Sequence, residues 1–262
     1  MTSLTNKCAL ITGSSSGLGL AIAESLAERG CRIMLHGRSA AETMSETCNR
    51  LTAQYGVAID YHQADISSLA GITDLVAAAR QSMGSIDILI NNAVTRHFAP
   101  VHEIPDDAWQ QALAVNLSAP LRAIKQVIPG MREKNWGRIF NMTSIYGVRG
   151  TPNRVDYVTC KSGLLGLTRV VALENLDYGI TCNAISPGST LTPNIAGRVA
   201  TLAEQEGLEY DEAVRRFLQG KQPSGRFNQS EHVGELIAFL CSDAGSDMTG
   251  IMLPVDGGWL AS

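Results

Sequence analysis

The sequence predicts the α/β class: a doubly wound parallel sheet of about seven strands, with helices on both faces, forming one domain over residues 1–262. Three observations predict it. Short Val/Ile/Leu runs alternate with longer helical patterns along the chain, and such alternation builds a parallel sheet covered on both sides. A glycine-rich turn, Thr12-Gly13-Ser14-Ser15-Ser16-Gly17-Leu18-Gly19, joins the first apolar run to the first helical one. No repeat, low-complexity stretch or linker divides the 262 residues, and the apolar content of 45% suffices for a full core.

The first strand is expected near 7–12, around Cys8-Ala9-Leu10-Ile11, and the first helix in the Ala/Leu-rich run from Leu18 to Ala27. Between them Gly13, Gly17 and Gly19 let the backbone turn and approach a ligand closely. Free N–H groups and the positive dipole end at the helix start attract a pyrophosphate, so the turn reads as the dinucleotide cradle of a Rossmann-type sheet. Further strands are expected near 31–36, 57–63, 86–91, 137–143, 180–186 and 251–255. The one long interruption runs from about Ser189 to Asn228, with helical pattern at 194–206 and 210–219. Ligands in such folds sit beyond the carboxyl ends of the strands, so 189–228 is expected to form a helical substrate lid.

The chemistry is expected from Ser144, Tyr157 and Lys161. Tyr157 and Lys161 are four apart in Tyr-Val-Thr-Cys-Lys, which puts both on one face of a helix. An ammonium beside a phenol favours the phenolate, so Tyr157 is placed to exchange a proton with an alcohol or ketone. Ser144, at the end of the apolar stretch 137–143, offers a hydroxyl to orient the same oxygen rather than attack it.

Composition excludes other classes. A formal charge of -4 and a pI near 5.7 leave no electrostatic footprint for nucleic acid. The N-terminal Met1–Lys7 lacks a signal pattern and no apolar stretch approaches a membrane span, so a cytoplasmic protein without a membrane partner is expected. Six cysteines lie scattered without CxxC spacing and read as reduced core residues, with Cys160, beside the Tyr/Lys pair, the one to watch for reactivity. His36, His62, His97, His102 and His232 show no ligand spacing, so no catalytic metal is expected; His97 alone is near the predicted site. Trp109 and Trp136 read as packing residues, and Trp259 as a subunit contact.

With these residues in view, the chain resembles the short-chain dehydrogenase/reductase family over essentially its whole length. The resemblance rests on the TGxxxGxG turn at 12–19, Asp65, Asn91-Asn92-Ala93, Asn116, Ser144, the YxxxK at 157–161, Pro187-Gly188 with Thr192, and Val255-Asp256-Gly257-Gly258. It implies a cofactor site made of Gly13, Ser15, Ser16, Gly17, Leu18, Gly19, Arg38, Asp65, Ile66, Asn91, Ala93, Tyr157, Lys161, Pro187, Gly188, Thr190 and Thr192. Within it Asp65 would hold the adenine edge, Asn91 would lie by the adenine ribose, and the 187–192 segment would meet the nicotinamide carboxamide. Asn116 would keep a relay water beneath Lys161, completing a catalytic set of Asn116, Ser144, Tyr157 and Lys161. One departure is Val94, where the family usually has glycine. A homotetramer is implied by the same resemblance.

The end of the second strand, Leu35-His36-Gly37-Arg38, carries no acid, and Arg38 tilts the expectation toward NADP over NAD because a 2′-phosphate wants a cation. The chain further resembles 3-hydroxybutyrate dehydrogenases, in Asn135-Trp136-Gly137-Arg138-Ile139, Thr181-Cys182-Asn183-Ala184-Ile185, Leu191-Thr192-Pro193 and Lys221-Gln222-Pro223-Ser224. Where that subfamily grips a small carboxylate with Gln, His, Lys and Gln, this chain has Arg96, Tyr146, Arg154 and Arg198. A small anionic hydroxy or oxo substrate ending in a carboxylate, sulfonate or phosphonate is therefore expected, contacted by Arg96, Ser144, Tyr146, Arg154, Tyr157 and Arg198. The alternatives are 3-hydroxybutyrate itself, a carrier-linked 3-oxoacyl chain, a polyol, or a cofactor sensor without turnover.

Overall fold

Strands of four to eight residues, buried almost throughout in β1, β2, β4, β5 and β6 and partly exposed in β3 and β7, form the sheet: β1 (Cys8–Ile11), β2 (Arg32–Gly37), β3 (Ile59–Gln63), β4 (Ile88–Asn91), β5 (Gly137–Met142), β6 (Ile180–Pro187) and β7 (Met252–Val255). All pair in parallel in the order β3-β2-β1-β4-β5-β6-β7. These coordinates are a computed structural model that describes residues 3–262, apart from the side chains of residues 193 and 194. The reading of Met1 and Thr2 as free of a signal lies outside the described residues, as does the Pro193 side chain.

Successive strand residues point to opposite faces, and each face has its own helices. On β1, Ala9 and Ile11 join the layer with Ile22 and Leu26 of α1 (Gly17–Ala27), Leu51 of α2 (Ser45–Tyr55), and Val233 and Ile237 of α9 (Ser230–Leu240). Cys8 and Leu10 join the other, with Leu75 of α3 (Leu69–Met83), Ile124 of α5 (Ala119–Glu133) and Val171 of α6 (Val155–Leu173). A short α4 (Asp106–Leu113) leads into α5 through a π turn at Ala114–Ser118. Strand order reverses between β1 and β4, which opens a crevice at their carboxyl ends. No described helix is long and apolar enough to cross a membrane.

The long interruption forms α7 (Pro193–Glu206) and α8 (Tyr210–Leu218). The pair has its own small core, Val199, Ala213, Leu218 and Phe227. Its two ends leave the sheet side by side. Thr190 bridges Asn228, Asn228 N–H donates to the Ser189 carbonyl at 2.9 Å, and the buried Gln222 accepts from Ser189 N–H at 2.8 Å.

Candidate active site

A cleft of about 820 Å³ opens over the β1/β4 crossover and runs from the glycine turn to the lid. At one end the turn does what its residues predict. Gly13 and Gly17 take left-handed φ of 63° and 59°, and a side chain on Gly13 would meet the Ala93 Cα at 2.7 Å. Ser16 precedes α1 without capping it, so the first amides of the helix stay free, and Ser15, Ser16, Leu18 and Gly19 line the cleft. That is a cradle for a pyrophosphate. Across from it Pro187, Gly188, Thr190 and Thr192 form the opposite wall, and the buried Thr190 hydroxyl has no partner within the protein, as a carboxamide ligand would require. The residues present therefore fit a nicotinamide dinucleotide.

His36 holds the turn in place, a role the sequence did not announce. Its Nδ1 accepts from Gly13 N–H at 3.0 Å while Nε2 meets the Ala64 carbonyl at 3.1 Å, so the ring is a neutral Nε2–H tautomer stitched between two strand ends. Burial pushes it down to about 4, against the Ala64 hydrogen bond. Asp65 and exposed Arg38 line the cleft beyond the glycine turn, where the adenosine was expected. Ser67 hydrogen bonds, helped by Arg38, hold the Asp65 carboxyl below its usual range.

At the floor, α6 delivers Tyr157 and Lys161 one turn apart, both buried. Lys161 Nζ donates to the Met142 carbonyl at 2.5 Å and lies 5.6 Å from the Tyr157 ring centre. Burial alone would raise the Tyr157 phenol; Lys161, Arg96, a hydrogen bond with Ser144, and Arg154 outweigh it and hold it below its ordinary value. Burial also lowers Lys161, with Tyr157 acting the other way. Ser144 closes the short turn after β5 by accepting from Tyr146 N–H at 3.3 Å, which leaves its hydroxyl proton free to donate.

Three expected residues stand elsewhere. Asn91 is turned into the sheet, where its Nδ2 donates to Asn141 Oδ1 at 2.8 Å and Asn141 donates to Thr168 on α6 at 2.9 Å. The side chain ties β4 and β5 to the helix carrying Tyr157 rather than lining the cleft, because it lies at the inward register of the strand. Asn116 lies in the π turn with both ends of its carboxamide on the Thr95 backbone, each at 2.9 Å. Gly17 shapes the turn without forming the wall. Cys160 is buried, donates to the Ala112 carbonyl and is pushed up to about 11 by burial, which removes it as a reactive thiol. Val94 causes no strain, since its φ is outside the left-handed region.

The lid end of the cleft, where substrate was expected, collects more cations than the sequence singled out. Arg96 and Arg154 lie over the Tyr157 ring at 5.5 and 4.4 Å, and Arg154 also stacks on Phe98 at 4.2 Å. Arg198 and Lys221 sit over Phe217 at 5.2 and 4.5 Å. Lys221 was visible in the Lys-Gln-Pro-Ser stretch, but a loop has no periodicity to say where its side chain points. Trp259, expected at a subunit contact, also lines the cleft, edge-on to Tyr146 at 5.7 Å.

Comparison with known proteins agrees with this geometry. A family model described as enoyl-(acyl carrier protein) reductase matches residues 13–260. The D-beta-hydroxybutyrate dehydrogenase of Cupriavidus necator is 38% identical over 98% of this chain and 99% of its own length. The chain is a short-chain dehydrogenase/reductase. Another member, 2-(S)-hydroxypropyl-CoM dehydrogenase 3 of Xanthobacter autotrophicus, is 31% identical over 98% of both chains. Among solved members of this family, L-sorbose reductase from Gluconobacter frateurii, complexed with NADPH and L-sorbose, superposes with a TM-score of 0.93 at 31% identity, covering 100% of this chain and 99% of the other. As a short-chain dehydrogenase/reductase the protein is an NAD(P)-dependent oxidoreductase acting on CH–OH groups.

Proposed function

We propose that the protein interconverts a secondary alcohol and a ketone on a small anionic substrate, a hydroxy acid, hydroxy-sulfonate or hydroxy-phosphonate. One observation carries the reading: a buried phenol with a depressed pKa lies at the floor of a cleft whose substrate end carries arginines. The chemistry supplied by a bound nicotinamide is acceptance or donation of hydride. Tyr157 takes the alcohol proton in oxidation and returns it in reduction, Ser144 donates to the substrate oxygen, and Lys161 keeps the phenolate accessible. Asn116 serves the relay through its main chain, because its side chain is committed to Thr95.

Arg96, Arg154 and Arg198, with Tyr146, are the substrate contacts. The D-beta-hydroxybutyrate dehydrogenases support a hydroxy-acid substrate, whereas L-sorbose reductase supports a polyol. The cleft cations favour the acid, since a neutral polyol gives them nothing to neutralise. Arg38, with no ion-pair partner among the described residues, supports NADP as the preferred cofactor. Six free cysteines, five of them buried, support a cytoplasmic setting. Exposed Val170 and Leu173 at the end of α6, with Leu176 in the turn after it, support homotetramer formation there.

The test is turnover of a panel of hydroxy acids, hydroxy-sulfonates, hydroxy-phosphonates and polyols with both cofactors, by the wild type and Tyr157→Phe. Anionic substrates should lead, and the variant should bind NAD(P)H yet lose turnover. Preference for neutral polyols, or normal turnover by Tyr157→Phe, refutes the reading.

A further inference from the structure

We infer that the substrate carries two anionic groups, one beside the reacting carbon held by Arg96 and Arg154, and one at its far end held by Arg198 and Lys221, which fastens the lid. The inference rests on the alcohol/ketone reading above and names its substrate class: short hydroxy- or oxo-dicarboxylates, or compounds pairing a carboxylate with a sulfonate or phosphonate.

In a chain of net charge -4, the cleft wall carries Arg38, Arg96, Arg154, Lys161, Arg198 and Lys221 against the single carboxylate Asp65. Asp65 and Arg38 lie together at the adenosine end, and Lys161 belongs to the proton relay, so four cations are left for the substrate. None of the four forms an ion pair among the described residues. The nearest acid, Asp156, is buried, accepts from His97 N–H at 3.1 Å and leaves its other oxygen without a partner. The Asp156 charge offsets part of that of Arg154 through space, but with no ion pair to any of them the four cations repel one another until an anion arrives.

The four fall into two sets on two frames. Arg96 follows β4 and Arg154 precedes α6, and the bridge between Ala99 and Arg154 joins their loops, so this set is fixed to the sheet. Arg198 and Lys221 belong to the lid and both lie against the ring of Phe217, which packs on Phe227 at 5.9 Å. The fields divide the same way. Arg96 acts on Arg154, Tyr157 and Lys161, whereas Arg198 acts on Lys221. Lys221 donates one proton to the Phe217 carbonyl at 3.2 Å and keeps two for a ligand. A hollow of about 690 Å³ beside the cleft shares Arg198, Phe217 and Lys221, so there is room for a molecule that extends beyond the reacting carbon.

The probes are malonate, succinate, glutarate and their monomethyl esters, titrated into the NADPH- or NADH-loaded enzyme and followed by nicotinamide fluorescence. At one chain length at least, the diacid should bind about tenfold or more tighter than its half-ester, and Arg198→Gln and Lys221→Gln should each cut that preference to about threefold or less. Cofactor affinity within about twofold of wild type shows that the variants are folded. Failure of every diacid to bind, equal binding of diacid and half-ester at every length, or a preference that survives both substitutions overturns the inference. Failure of the parent reading is seen separately, in the turnover panel and Tyr157→Phe.

Discussion

Replacing Arg154 by Met should move the pH dependence of alcohol oxidation upward, and the size of the move can be worked from the geometry. The guanidinium lies 4.4 Å from the Tyr157 ring centre. At that separation about 332/(εr) gives roughly 1 kcal/mol for a water-like dielectric and about 4 for an effective value near 20. Arg154 is half-buried, which places the interaction toward the lower end. About 1.4 kcal/mol is then a fair expectation, equivalent to roughly one pH unit. The sign follows from the phenolate: losing a nearby cation makes the proton harder to remove, so oxidation begins at higher pH. Methionine keeps the contacts with Phe98 and the ring while removing the charge. The assay is kcat for oxidation at saturating substrate from about pH 6 to pH 10, because kcat reports the bound complex and is insensitive to weakened substrate binding. An unchanged profile, or one that moves down, would show that Arg154 does not act on the phenol.

Other outcomes follow from the same structure. His36 titrates at about 4 when folded and 6.5 when unfolded, so the unfolded chain binds its proton first and stability falls as pH drops through that window. The loss at pH 5 should be about 2 kcal/mol, and His36→Asn should flatten that part of a denaturant-derived stability profile. Gly13→Ala places a methyl group 2.7 Å from the Ala93 Cα at a left-handed φ, and should cost about 1–3 kcal/mol of stability and weaken NADPH binding in a fluorescence titration. Iodoacetamide near pH 8 should label half-buried Cys48 ahead of buried Cys160 and leave activity intact; mass spectrometry reads the order. Arg38→Leu should lower affinity for NADPH by about tenfold while sparing NADH.

Much of this was legible because it rests on periodicity and spacing. Each expected strand, and both lid helices, lies within two residues of its expected bounds; the inner strands are plainest, since a strand buried on both faces leaves an apolar run. Tyr157 and Lys161 share a face because helical spacing dictates it. Side-chain direction was not legible where no such rule applies. Asn91 shows the limit: a polar residue at the end of β4 points either to the crevice or into the sheet, and its hydrogen bond to Asn141, which in turn donates to Thr168, reveals which. The same holds for Lys221 and Trp259, whose loops carry no repeat, and for His36, whose value comes from partners at Gly13 and Ala64, more than 20 residues away in either direction.

The lid leaves and rejoins the sheet at one seam, where Gln222 and Asn228 meet Ser189, and folds around apolar residues of its own. A segment built that way behaves as an interchangeable cassette. It can be lengthened, shortened or recharged without shifting the register of any strand, so selection can redirect what the enzyme accepts while the dinucleotide half stays as it is.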